Sequence, residues 1–122
     1  MAISERDFSI IEKMAQYCTE IEEAHNSFDR SFVSFKSSSL YRNAVCLCIM
    51  QIGELVNHLS DDFKNQHDDI PWRQIRGMRN IVAHEYGHVD VEVVWATATE
   101  GVMQIRQFCD GIVDKSQNQD RN

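Results

Sequence analysis

The sequence predicts an all-α fold, an antiparallel bundle of four to five helices, and three observations predict it. Apolar residues recur every three or four positions through most of the chain. Period-two alternation, the mark of a half-buried strand, is found nowhere. One proline and five glycines in 122 residues confine the helix breakers to a few points where connections are needed. The length suits one domain with one core, and 43% apolar with 25% charged residues fits a globular chain.

The elements follow in order. Ser4-Glu5-Arg6-Asp7 resembles a capping box with Asp in place of Glu and opens the first helix. Phe8, Ile11, Met14 with Ala15, Cys18, Ile21, His25 and Phe28 form its inner stripe, and Glu12, Lys13, Glu20, Glu22 and Glu23 fall mostly on the wet side. Phe32 and Phe35 sit in a serine-rich connection of short turns, from which both rings pack back on the core. A second helix starts near Ser38 or Ser39. From Leu40 to Leu59 its apolar residues cover most of the circumference, so it is either central or buried by a partner. Gly53 allows another helix to come close, and Glu54 beside it needs a basic or hydrogen-bonding partner if it is buried. The segment from Ser60 to Asp69 is polar, with Phe63 as its anchor. Ile70-Pro71-Trp72 starts a third helix with proline in the first turn, marked by Trp72, Ile75, Met78 and Val82 and interrupted at Gly87. Asp90 caps a last helix whose inner face is Val91, Val94 with Trp95, Ala98, Val102, Ile105, Cys109 and Ile112 with Val113. The packed domain is expected over 1–115, and the polar tail 116–122 is expected to fray.

Composition excludes several classes of function. No apolar run is long enough to cross a bilayer, and the N-terminus MAISERDFSI is polar where a signal peptide would be apolar. Cys18, Cys46, Cys48 and Cys109 form no C-x-x-C pair; Cys18, Cys48 and Cys109 sit among apolar residues at helical spacing, which reads as small buried hydrophobes in a reducing compartment. A cytoplasmic location is therefore expected. A net charge of −7 argues against coating a long duplex. Yet Arg73, Arg76 and Arg79 lie between Trp72 and His84 with no acidic residue among them. A small cationic site on an acidic body suits one phosphate or a short stretch of RNA.

The stretch RNIVAHEYGH, residues 79–88, carries two overlapping patterns. His84-Glu85-Tyr86-Gly87-His88 is a literal H-E-x-x-H, which in a zinc hydrolase needs both histidines on one continuous helix and a third ligand. Gly87 lies inside that pattern, and Asp90 starts a new helix just after it. The longer metzincin spacing finds Val91 and Trp95 where a third histidine would stand. The expectation is therefore no metal and no cofactor. The second pattern is Arg79-x4-His84-x-Tyr86. On an ideal helix five residues turn about 500°, so Arg79 and His84 would point about 140° apart and converge only if the helix ends or distorts. Arg76, Asn80 and His84 are an alternative set sharing one face. Either set places guanidinium, amide and imidazole within two turns, which fits metal-free RNA cleavage. A histidine moves the protons, and an arginine holds the scissile phosphate and offsets its developing charge. One histidine is thin for two proton transfers, and a symmetric dimer would supply a second. The purely structural alternative is that Arg79 pairs with a carboxylate such as Glu54 while His84 only packs.

IPWRQIRGMRNIVAHEYGHVDVEVVW, taken with the earlier YRNAVCLCIMQIGELVNHLS, resembles the HepT-like toxins of the HEPN superfamily, the type VII toxin–antitoxin ribonucleases. The likeness runs from the first helix to about Ile112. It rests on Arg-x4-His-x-Tyr, the Ile-Gly-Glu of the second helix, the Pro-Trp before the core and the Val-Asp and Val-Trp after it. The resemblance implies an all-helical homodimer and a metal-independent endoribonuclease with Arg79 and His84 of both subunits facing a shared cleft. It also implies a toxin whose MntA-like minimal nucleotidyltransferase antitoxin adds AMP to Tyr86. An anionic adduct two residues from His84 would block the cleft and compete for its arginines. A different class of function, a non-catalytic helical subunit that binds the nucleotidyltransferase and presents Tyr86 or a nucleotide, shares the same sequence features. His88 has no assigned role.

Overall fold

The structure, a computed structural model, describes residues 3–85 and 90–120, with side chains for 3–80 and 90–115. It contains α1 (Glu5–Ser27), α2 (Phe32–Ser37), α3 (Ser39–Val56), α4 (Asp61–Gln66), α5 (Trp72–Glu85), α6 (Val91–Ala96), a π-helical segment (Thr97–Gly101) and α7 (Val102–Asp120). No strand occurs among the described residues. The expected all-α bundle is present. The two polar connections differ from simple turns, because each folds into a short helix around one buried ring, Phe35 in α2 and Phe63 in α4. The helical backbone of α7 continues to Asp120, into the stretch whose polar composition suggests fraying.

Helix starts follow the sequence closely. Ser4, Ser31, Ser38, Ser60 and Asp90 are N-caps, each with a side-chain oxygen accepting an N–H of the first turn, worth about 1 kcal/mol apiece. The capping box at Ser4 is only half made. Asp7 N–H donates to Ser4 Oγ at 3.1 Å, but the Asp7 carboxylate turns away and accepts from Ser60 N at 2.9 Å and Ser60 Oγ at 2.6 Å. One cap thus ties the start of α1 to the start of α4. Burial of Asp7 raises its pKa, but the hydrogen bonds from Ser60 and Ser4 outweigh this and hold the carboxyl below its usual value.

α3 is central, packed between α1 and α5, with α7 on the other flank of α1. Tyr41, Val45, Ile49, Ile52 and Val56 of α3 meet Ile11, Met14, Cys18 and Ile21 of α1 in one core. Not all of α3 is covered, however: Leu40 and Leu47 remain 72% and 58% exposed. Gly53 sets the approach of α5. A Cβ there would lie 3.1 Å from Arg79 Cβ and 3.3 Å from the Arg76 carbonyl oxygen, so a larger residue would push the helices apart. Trp72 fastens the start of α5, its Nε1–H donating to the carbonyls of Lys64 and His67.

At the other end His25 is fully buried, although its place in the α1 stripe reads as apolar. Its Nε2 lies 2.9 Å from the Ala98 carbonyl and its Nδ1 2.5 Å from Tyr41 Oη. A carbonyl can only accept, so Nε2 carries the proton and Nδ1 accepts from the Tyr41 hydroxyl. Phe28 stacks on Tyr41, and the Trp95 ring stands edge-on to His25. Ala98 lies in the π-helical segment. Buried Val94, Ala98 and Val102 are spaced by four, which would drift about 40° per step on a straight α-helix. The wider π turn absorbs that drift and keeps all three facing the core.

Candidate active site

The segment from Ile70 to His84 contains no acidic residue, and α5 displays it. Ile75 and Met78 point inward. Arg73, Gln74, Arg76, Arg79 and Asn80 remain exposed. The backbone is helical without interruption through Glu85. Arg79 and His84 therefore lie at register positions about 140° apart in a single chain, and the local distortion that would bring them together is absent from the described backbone. Arg76, Asn80 and His84 follow one another along one face. Tyr86 and His88 lie outside the described residues, as does the second half of the H-E-x-x-H pattern.

Arg79 is held from α3. Its Nη1 lies 3.0 Å from Glu54 Oε1 and 3.3 Å from Oε2. This contact follows from the Gly53 approach, which brings the two backbones together one residue before Glu54. The pair was one of the two readings open in the sequence. It does not bury the guanidinium, since the two side chains are 48% and 41% exposed. An ion pair so exposed contributes roughly 0.2–1 kcal/mol, little for an incoming phosphate to displace. Both contacts use Nη1, and among the described residues the remaining N–H edge of Arg79 meets no other carboxylate. Arg73 and Arg76 have no ion pair among the described residues, whereas Arg30, Lys64 and Arg106 do. Arg73 is a cation whose place on this face the motif Arg-x4-His does not reveal. Its signal is the helical spacing of three and seven to Arg76 and Asn80.

Among the described residues no group of three or more His, Cys, Asp or Glu side chains could hold a metal ion. The four cysteines are free and buried, and burial pushes the Cys18 thiol up to about 12 and the Cys46 and Cys48 thiols to about 11. No thiolate nucleophile is therefore on offer near neutral pH. No helix among the described residues is long and apolar enough to cross a membrane.

Comparison with known proteins places this arrangement. The family model described as "Ribonuclease HepT-like" matches residues 14–112. A protein of Thermococcus cleftensis named "Probable ribonuclease HepT" is 33% identical over 108 residues, covering 87% of this chain and 93% of its own. Two proteins whose names mark them as candidate RNases are each 29% identical. One, from Caldanaerobacter subterraneus, aligns over 85 residues, 70% of this chain and 76% of its own. The other, from Methanocaldococcus jannaschii, aligns over 79 residues, 65% and 72%. No solved structure matches. With its helical bundle, its acid-free α5 and a family match running from α1 into α7, the chain belongs to the HepT-like ribonuclease family.

Proposed function

We propose that the chain is a metal-independent endoribonuclease whose reacting groups are Arg79 and His84, with Arg76 and Asn80 as supporting phosphate ligands. The observation that carries the reading is the exposed cationic face of α5, where a half-exposed guanidinium is retained by a weak, displaceable ion pair. Family membership supports the substrate class. His84 takes the proton of a ribose 2′-hydroxyl as that oxygen attacks phosphorus, and the leaving 5′-oxygen receives a proton in turn. Arg79 forks onto the non-bridging oxygens and offsets their charge.

The angular gap between Arg79 and His84 on one helix favours a site completed by a second copy, in which Arg79 of one chain serves His84 of the other. The exposed leucines of α3, Leu40 and Leu47, lie on the helix that also presents Glu54, and they would be covered in such a homodimer. We further propose a toxin role in a toxin–antitoxin pair, with Tyr86 as the residue that an MntA-like nucleotidyltransferase antitoxin modifies with AMP.

Cleavage of RNA by the purified protein in EDTA tests the nuclease. Activity should survive chelation and fall by roughly 10²–10⁴-fold in His84→Ala and in Arg79→Ala. Activity retained in both variants, or restored only by a divalent metal, would refute the assignment. Loss of cleavage with tight nucleotidyltransferase binding would favour the non-catalytic subunit. Intact mass after co-production with the partner should rise in AMP-sized steps that are absent in Tyr86→Phe.

A further inference from the structure

We propose that the solvent face of α5 is a track for a single RNA strand, on which Arg73 binds a phosphate displaced along the strand from the one that reacts. The identity of the strand rests on the ribonuclease reading. The track itself rests on four observations. Arg73, Arg76 and Asn80 are all exposed and stand at helical spacings of three and four, and His84 continues the register by another four. From Arg73 to His84 the helix rises about 16 Å. A single phosphate cannot meet both ends of such a line, so a ligand using all of it must lie along the helix.

The second observation is charge. Arg73 and Arg76 are like charges one turn apart, an arrangement that weakens an isolated helix. Neither has a carboxylate partner among the described residues, although acidic residues outnumber basic ones 19 to 12. Among the described residues, no ion pair of the fold uses these two cations. Two guanidinium forks one turn apart match a repeating anion.

Gly77 supplies the third. It occupies the middle of the same face, and a Cβ there would meet nothing within 4 Å. Packing does not require glycine, and glycine is unfavourable inside a helix. Its absence of side chain leaves the backbone open to close approach between Arg73 and Asn80. The fourth is what the face lacks. Among the described side chains of this face, Arg73, Arg76 and Asn80 are polar and none supplies an anchor of the kind that dominates protein–protein interfaces. A sugar–phosphate strand is the better occupant.

The test uses a ligand that cannot be cleaved, a fluorescent 2′-O-methyl uridine dodecamer, with Kd measured by anisotropy across a salt series. Removing one phosphate contact from a single strand lowers the slope of log Kd against log salt by about 0.7. Arg73→Gln should show that decrease with several-fold weaker binding at low salt, Arg73→Lys should restore most of the slope, and Lys13→Gln, the same charge change on exposed α1, should leave it in place. An unchanged slope in Arg73→Gln, an equal drop in Lys13→Gln, or no binding by the unaltered chain would each overturn the track. Because the probe cannot react, the two readings fail separately. RNA cleavage with an unchanged Arg73→Gln slope sinks the track and keeps the nuclease. A reduced slope without cleavage does the reverse.

Discussion

The buried contact between His25 and Tyr41 allows a sharp test of what holds α6, the π-helical segment and α7 in place. In His25→Phe the ring volume and its edge contact with Trp95 are largely kept, but two buried groups lose their partner, the Tyr41 hydroxyl and the Ala98 carbonyl. A buried hydroxyl left unsatisfied costs about 1–3 kcal/mol and the lost bond to the helical Ala98 carbonyl about 0.5–1.5 kcal/mol, so the single variant should lose about 1.5–4.5 kcal/mol. Tyr41→Phe orphans only Nδ1 of His25 and should lose about 1–3 kcal/mol. The double variant removes both ends of that bond and loses only the hydrogen bond to the Ala98 carbonyl. Its loss should therefore be smaller than that of His25→Phe plus Tyr41→Phe by about 2–6 kcal/mol. Urea unfolding of the four proteins measures this, with stability taken from midpoints at constant slope. Losses that simply add, to within about 0.5 kcal/mol, would refute the hydrogen bond between His25 and Tyr41.

The remaining expectations concern the ends of the bundle and the seam below the site. The Asp7 carboxyl is held below its usual pKa, so its contribution is complete above the unfolded value of about 3.9 and is lost as pH falls through the lower folded value. Asp7→Asn should cost about 1–3 kcal/mol at neutral pH, and the gap to the unaltered chain should close below about pH 4; a gap that is independent of pH contradicts this. Gly53→Ala forces α3 and α5 apart by a few tenths of an ångström at the Arg79 Cβ and Arg76 carbonyl. The overpacking cost of about 1–3 kcal/mol exceeds the helix-propensity gain of about 1 kcal/mol, so denaturation should show a net loss and cleavage should fall with it; a stabilised variant would show that the seam has slack. The thiols of Cys18, Cys46 and Cys48, raised by burial to between about 11 and 12, should resist iodoacetamide in the folded protein and react on unfolding, as followed by mass; rapid native labelling would argue against the packing described.

Much of the fold is visible in residue spacing. The serine and aspartate caps, the α1 and α7 stripes and the proline start of α5 are local: each depends on contacts within a turn or two. The cationic run from Arg73 to Arg79 is legible for the same reason. The Ile-Gly-Glu of α3 pointed to a close helix approach and a partner for Glu54, and the structure supplies both in α5 and Arg79. The proposed site was less legible. Arg-x4-His names two residues, but a helix that runs unbroken to Glu85 keeps their register positions apart, and no local rule says which neighbour each one faces.

The sequence by itself determined the four main helices, the caps at Ser4, Ser38 and Asp90, the inner faces and an acid-free segment, because these arise from backbone hydrogen bonding and from the period of apolar residues. Only the tertiary structure decided that the Asp7 carboxylate serves Ser60 rather than its own cap, that His25 is a buried polar tie to Ala98 and not one more apolar residue of the stripe, and that Arg79 rests on Glu54. Those outcomes join residues between 25 and 73 positions apart in the chain. They are set by which helices pack together and how closely, and single-residue periodicity does not carry that information.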